Sequence, residues 1–241
     1  MKRPLILSFC LLIAWQAFSQ IPDIPSPTST MKGGIISYLA VADNSAVIYS
    51  GKEEQTYPTN ISNHPYYVSD QYQQGTLSFD GVEYHGVSMR LNVASEELIV
   101  SLPGRFFNVI VPRDRLDYAI LNSYPLFYNG YAVKENSLPE GYFLLIHKGN
   151  NSVLRRETAF LSEQITGRSL NRFFAKKVRY YIYKDGQYHS VDSKGALLKL
   201  FKNQKKELNR FIKQQNLNFR NSTEYAIVSV VEYYEKLIQT S

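Results

Sequence analysis

The sequence predicts an α+β fold: an antiparallel β-meander (a curved sheet, part-closed barrel or sandwich), then a β-hairpin and C-terminal helices. Three observations carry this prediction. From Gly33 onward, apolar residues recur at every second position in short runs bounded by Gly, Pro, Asn or charged residues. No helical pattern lies between those runs, as a parallel sheet would require. After Val191 the period changes, and Leu197, Phe201, Leu208, Phe211 and Ile212 recur at helical spacing.

The first element is a signal peptide over residues 1–19. Lys2 and Arg3 precede an apolar run from Leu5 to Phe18, and Ala17 and Ser19 are the small residues a signal peptidase reads. The mature chain is expected to begin at Gln20. Cys10 lies inside the apolar run behind Phe9, which is no lipidation site, so an exported protein without a lipid anchor is expected, in the periplasm or at the outer membrane. As the chain's single cysteine it would leave with the signal peptide. The mature protein would then have no disulfide, no thiolate nucleophile and no cysteine–zinc site.

Residues 20–34 form a linker rich in Pro, Ser and Thr. The β-rich domain is expected over 35–192, beginning with short strands at Ile35–Val41 and Ala46–Tyr49. TLSFDGVEYH (76–85) is a hairpin, because Asp80-Gly81 suits a type I′ turn. It sets Phe79 opposite Val82 and Leu77 opposite Tyr84 on one face. Val87, Met89, Leu91 and Val93 continue that alternation. Further strands are predicted at 98–102, 106–111, 116–121, 127–133 and 142–147.

YYIYKDGQYHSVD (180–192) is a second hairpin, turning at Asp185-Gly186. Its register puts Val178, Tyr180, Ile182 and Val191 on a core face, with His189 beside the turn on that side as a satisfied imidazole. Tyr181, Tyr183 and Tyr188 fall on the other face, with an Arg179–Asp192 ion pair at its end. Aromatic cross-strand pairing accounts for the tyrosines, and a stacking platform for a sugar or base is the alternative. Residues 193–241 are a basic helical segment packed on the sheet. Within it, one helix over 194–215 would align Lys199, Lys202, Lys206, Arg210 and Lys213 in a stripe. Asn221 and Glu224 suit a capping box for a final helix.

Four blocks, YSGKEEQTYP (49–58), HPYYVSDQYQQGTLSFDGVEY (64–84), VRYYIYKDGQYHSV (178–191) and KKELNRFIKQQNLNFRNSTEYAIVSVVEYYEKL (205–237), together resemble an uncharacterised family of exported Bacteroidota proteins. Tyr67 stands where that family usually has phenylalanine, and 122–165 matches poorly. The resemblance implies an envelope location and carries no activity.

Charge adds a direction. From Arg168 to the end there are 15 Lys and Arg against 6 Asp and Glu, whereas residues 20–167 carry 10 against 15. A net of +9 on one segment and −5 on the other suggests two surfaces with different partners. The chemistry searched for is mostly missing. His64, His85, His147 and His189 are scattered outside any metal-ligand spacing. There is no nucleophile elbow, phosphate loop or dinucleotide fingerprint. The acidic pairs Glu53-Glu54, Glu96-Glu97 and Asp114/Asp117 read as solvated turn and strand-end residues.

The expectation is therefore a non-catalytic exported cell-envelope protein with no cofactor. Its candidate partner-binding residues are the five cations of the stripe and the three tyrosines. The expected partner is an acidic envelope protein or an anionic lipid surface; export argues against nucleic acid. A carrier of an apolar ligand and a glycan or peptide hydrolase remain as alternatives.

Overall fold

The computed structural model describes residues 47–102, 104, 108–130 and 134–239. The expected signal peptide, linker and strand at 35–41 all lie outside the described residues. Eleven strands form one open sheet: β1 (Lys52–Glu53), β2 (Gln73–Phe79), β3 (Val82–Asn92), β4 (Glu97–Ser101), β5 (Asn108–Ile110), β6 (Leu116–Leu121), β7 (Tyr124–Asn129), β8 (Gly141–His147), β9 (Val153–Thr166), β10 (Ser169–Lys184) and β11 (Gln187–Val191). Their order is β1-β5-β4-β3-β2-β6-β7-β8-β9-β10-β11, with every neighbouring pair antiparallel. Three helices follow, α1 (Lys194–Leu200), α2 (Lys205–Gln214) and α3 (Thr223–Gln239). The α+β class and the strands-then-helices order match the sequence pattern.

Both Asp-Gly hairpins form as expected. Asp80 and Gly81 have φ of 51° and 75°, and Asp185 and Gly186 have 53° and 84°, the left-handed pair that a type I′ turn needs. Phe79 pairs with Val82 and Leu77 with Tyr84, although Val82 is exposed where the hairpin tip leaves the core. Three details differ. Val47–Tyr49 is a 3-10 turn rather than a strand. The β10–β11 ladder stops at the Tyr180–Val191 pair, so Arg179 and Asp192 do not meet, and Val178 is exposed. The segment 194–215 is two helices, because Lys202–Gln204 turns as a 3-10 segment between them.

The core has three parts. Leu77, Met89, Val100, Leu126, Leu144 and Phe174, from six strands between β2 and β10, join one apolar cluster. The same face continues under the helices, where Val153, Ile182 and Val191 meet Leu197 of α1, Phe201 just after it, Leu208 of α2 and Ile227 and Val230 of α3. Phe127, Phe143, Leu145, Leu154 and Tyr181 pack on the opposite face beneath Leu138. The segment before β2 crosses the sheet. Ile61 bridges Arg172 of β10, and Tyr66 bridges Asn92 of β3.

Two ionic clusters hold these parts together. Arg90 donates to both oxygens of the buried Glu54 carboxylate at 2.9 and 2.8 Å, and its guanidinium lies 3.7 Å from the Tyr66 ring centroid and 4.3 Å from that of Tyr72. The Tyr66 and Tyr72 hydroxyls also donate to Glu54, at 2.7 and 3.2 Å. Glu54 is thus a buried partner of a cation rather than a solvated turn residue. Between the first two core clusters, Arg155 donates to Glu157 at 2.6 Å and to the Tyr67 hydroxyl at 3.0 Å, and lies 3.4 Å from Glu224 of α3. Glu224 is therefore turned to the sheet. The expected Asn221 capping box does not form: α3 starts at Thr223, and Asn218 accepts the Arg220 and Asn221 N–H groups.

Candidate functional site

Where α1 follows the second Asp-Gly hairpin, the two elements leave a groove of about 590 Å³ between them. Lys184, Asp185 and His189 line it from the hairpin; Lys199, Lys202 and Asn203 line it from the end of α1 and the 3-10 turn. Local sequence explains the arrangement. Ser193 caps α1 by accepting the Ala196 N–H at 3.2 Å, so the helix starts two residues after β11 and lies close to it. Leu197, Leu198 and Phe201 face the core, which leaves Lys199 and Lys202 outward. Asn203 anchors the 3-10 turn, donating to the Tyr234 hydroxyl of α3 at 3.1 Å.

The groove holds three ammonium groups and one carboxylate. Lys184 takes that carboxylate, with its Nζ 2.5 Å from Asp185 Oδ2. This hydrogen bond holds the Asp185 carboxyl below its usual range, and the charges of Lys184, His189 and Lys202 act in the same direction. His189 Nε2 is 3.2 Å from the Lys184 carbonyl oxygen, which the ring satisfies by donating from Nε2. That half-buried, hydrogen-bonded imidazole fits the expectation for His189. A second groove, lined by Lys194, Lys213 and Arg220 with Ile212, Leu217 and Phe219, lies beside the turn after α2.

The residues singled out from the sequence separate in space. Lys199 and Lys202 reach the first groove and Lys213 the second, while Lys206 and Arg210 are exposed on α2, Arg210 paired with Glu207. The single stripe is broken by the 3-10 turn. The tyrosines lie on the sheet face opposite the groove. Tyr181 is 5% exposed and packs edge-on against Phe143, at 5.5 Å and 75°, so its ring is not offered to a ligand. Tyr183 and Tyr188 are half-buried and meet edge-to-face at 5.2 Å, the cross-strand pairing expected of them. Burial, then the Glu135 charge, pushes the Tyr188 phenol upward.

Lys184 was not singled out from the sequence. The signal was present: as the residue before Asp185-Gly186 it falls on the same face as Tyr180 and Ile182, toward the helices. The acidic pairs each have a structural partner. Glu96 accepts from Arg156 at 2.9 Å, and Asp117 accepts from Ser78 Oγ at 2.9 Å and from the Gly81 N–H at 2.8 Å. Among the described residues no group of three His, Cys, Asp or Glu side chains is arranged to hold a metal ion. No described helix is long and apolar enough to cross a membrane. Comparison with family models, curated proteins and solved structures gave no match.

Proposed function

We propose that this is a non-catalytic exported protein of the cell envelope, which binds an acidic segment of another envelope protein in the basic groove between the β10–β11 turn and α1. The observation that carries the reading is the convergence of Lys184, Lys199 and Lys202 from two elements on one concavity with a single carboxylate. Lysine ammonium groups are strongly hydrated point charges that bind carboxylates without demanding a fixed bidentate geometry. A concave site suits an acidic chain segment better than the surface of an anionic bilayer. The signal-peptide pattern and the resemblance to exported Bacteroidota proteins support the location. The bridges from Ile61 and Tyr66 to β10 and β3 support a part-closed barrel as the form of the sheet.

Native envelope extracts offered to the wild-type protein and to Lys184→Gln/Lys199→Gln/Lys202→Gln test this reading. The wild type should retain an acidic protein that the triple variant loses, and retention should fall as salt rises. Equal recovery on both proteins, insensitive to salt, contradicts it. Retention of anionic vesicles in place of a protein assigns the groove to a lipid surface instead.

A further inference from the structure

The β9–β10 hairpin is longer than its cover. β8 pairs only with Val153–Arg155 of β9, and the last contact on that edge is the Ala159 N–H, which donates to the Val93 carbonyl at 2.9 Å. Backbone groups on one edge of a strand repeat every second residue. Leu161, Glu163 and Ile165 therefore present their N–H and C=O groups on the same edge as Ala159, and among the described residues no strand pairs there. The other edge of the hairpin is better covered: Ser62 N–H donates to the Arg172 carbonyl at 2.9 Å, and Asn63 bonds both backbone groups of Phe174.

The same stretch is apolar. Phe160, Leu161, Ile165 and Leu170 are 59, 50, 76 and 51% exposed. Leu161, Ile165 and Leu170 share one sheet face, because Ile165 pairs with Leu170 and Leu161 lies four residues from Ile165. Residues 160–166 contain neither proline nor lysine, the usual protection of a free edge. Glu163 sits between Leu161 and Ile165 on that face, its carboxylate half-exposed and 2.7 Å from Arg172 Nε.

We infer that the free edge of β9 at Leu161–Ile165 takes an extended strand from a different protein, one carrying the pattern apolar-x-basic-x-apolar. The edge amides and carbonyls would continue the ladder. The two apolar residues would cover Leu161 and Ile165, and the cation would meet Glu163 on the side away from Arg172. Charge selects this partner over a second copy of the chain. Antiparallel self-pairing that places Leu161 on Ile165 of the other copy also places Glu163 against Glu163, and like charges directly opposite are destabilising.

The test uses hydrogen–deuterium exchange of the folded protein with two synthetic extended peptides, identical except for Ile-x-Lys-x-Leu in one and Ile-x-Glu-x-Leu in the other. The lysine peptide should slow exchange at Leu161, Glu163 and Ile165 and bind several-fold more tightly than the glutamate peptide. Glu163→Gln, which removes the charge without setting a cation opposite Arg172, should abolish that preference. Unchanged exchange at saturating lysine peptide, or an unaltered preference in the variant, overturns the proposal. Protection that rises with protein concentration and needs no peptide overturns it in favour of self-association.

Discussion

The two ends of β10 make an instructive pair. At Tyr180–Lys184 the strand is covered on both faces: Ile182 lies under the helices and Tyr181 lies under Phe143 and Leu138. At Ser169–Asn171 the same strand stands clear, and Leu170 is exposed. Apolar residues share a sheet face in both places, Tyr180 with Ile182 at one end and Leu170 with Ile165 and Leu161 of β9 at the other. What differs is the supply of neighbours, so apolar residues in a strand mark a face able to be buried rather than one that is. The covered end builds a polar groove at its rim, and the uncovered end keeps an apolar edge.

Substitution at the two ends should sharpen this contrast most. Ile182 is fully buried, so Ile182→Ala should cost about 2–5 kcal/mol, whereas Leu170→Ala should stay within about 0.5 kcal/mol. Chemical denaturation checks both, and equal costs would mean that the arm is covered in solution. The turns come next. Gly186→Val and Gly81→Val each force a β-branched residue to positive φ, so a loss of about 1–2 kcal/mol is expected in either.

Alkaline pH should also separate the regions. Burial, followed by the Glu224 charge, raises the Tyr180 phenol from its usual 10 to about 12. Its folded value exceeds its unfolded one, so its contribution is complete below pH 10 and is lost as pH climbs from 10 through about 12. Tyr118 and Tyr128 shift the same way, each to about 12, through burial and then hydrogen bonds to Glu83 and Glu140. The rings of Tyr118, Tyr128 and Tyr180, followed one by one by NMR, should therefore ionise late and together with unfolding. Ionisation of these three rings near their usual pH of about 10 with the fold intact would contradict their burial. The smallest effect belongs to the exposed cations: Lys199→Gln, Lys206→Gln and Arg210→Gln should each move stability by no more than about 0.5 kcal/mol.

The legible parts of the fold were those whose local chemistry has few solutions. Asp80-Gly81 and Asp185-Gly186 each fix a turn, and the turn fixes the register of the residues around it. The β9–β10 arm went unread although Gly167, at φ 64°, with Arg168 makes an acceptable two-residue turn. Adjacent Phe160 and Leu161 break the period there, and the charged 155–157 stretch disguises a strand whose polar residues are paired internally. The helix break was half legible: Asn203 marks a place where the stripe could break, and the 3-10 turn falls there. The apolar spacing hides it, because Leu197 and Leu208 are eleven residues apart, about three turns, and one continuous helix would place them on a single side. The groove was half legible: Lys199 and Lys202 stood out as a pattern, while Lys184 joins them only through the packing of α1 beside the hairpin. The Glu54–Arg90 pair and the contacts of Arg155 with Tyr67 and Glu224 join residues far apart in the chain, and no local signal announces them.

The account rests most directly on the groove, and titrating isotope-labelled protein with an octaglutamate peptide under NMR tests it. The backbone amides of Lys184, His189, Lys199 and Lys202 should shift together, the shifts should shrink as salt is added, and Asp185→Asn should strengthen them by freeing Lys184. No shifts at these four residues, or shifts spread evenly over every exposed lysine of α2 and α3, would contradict a groove built for an acidic partner.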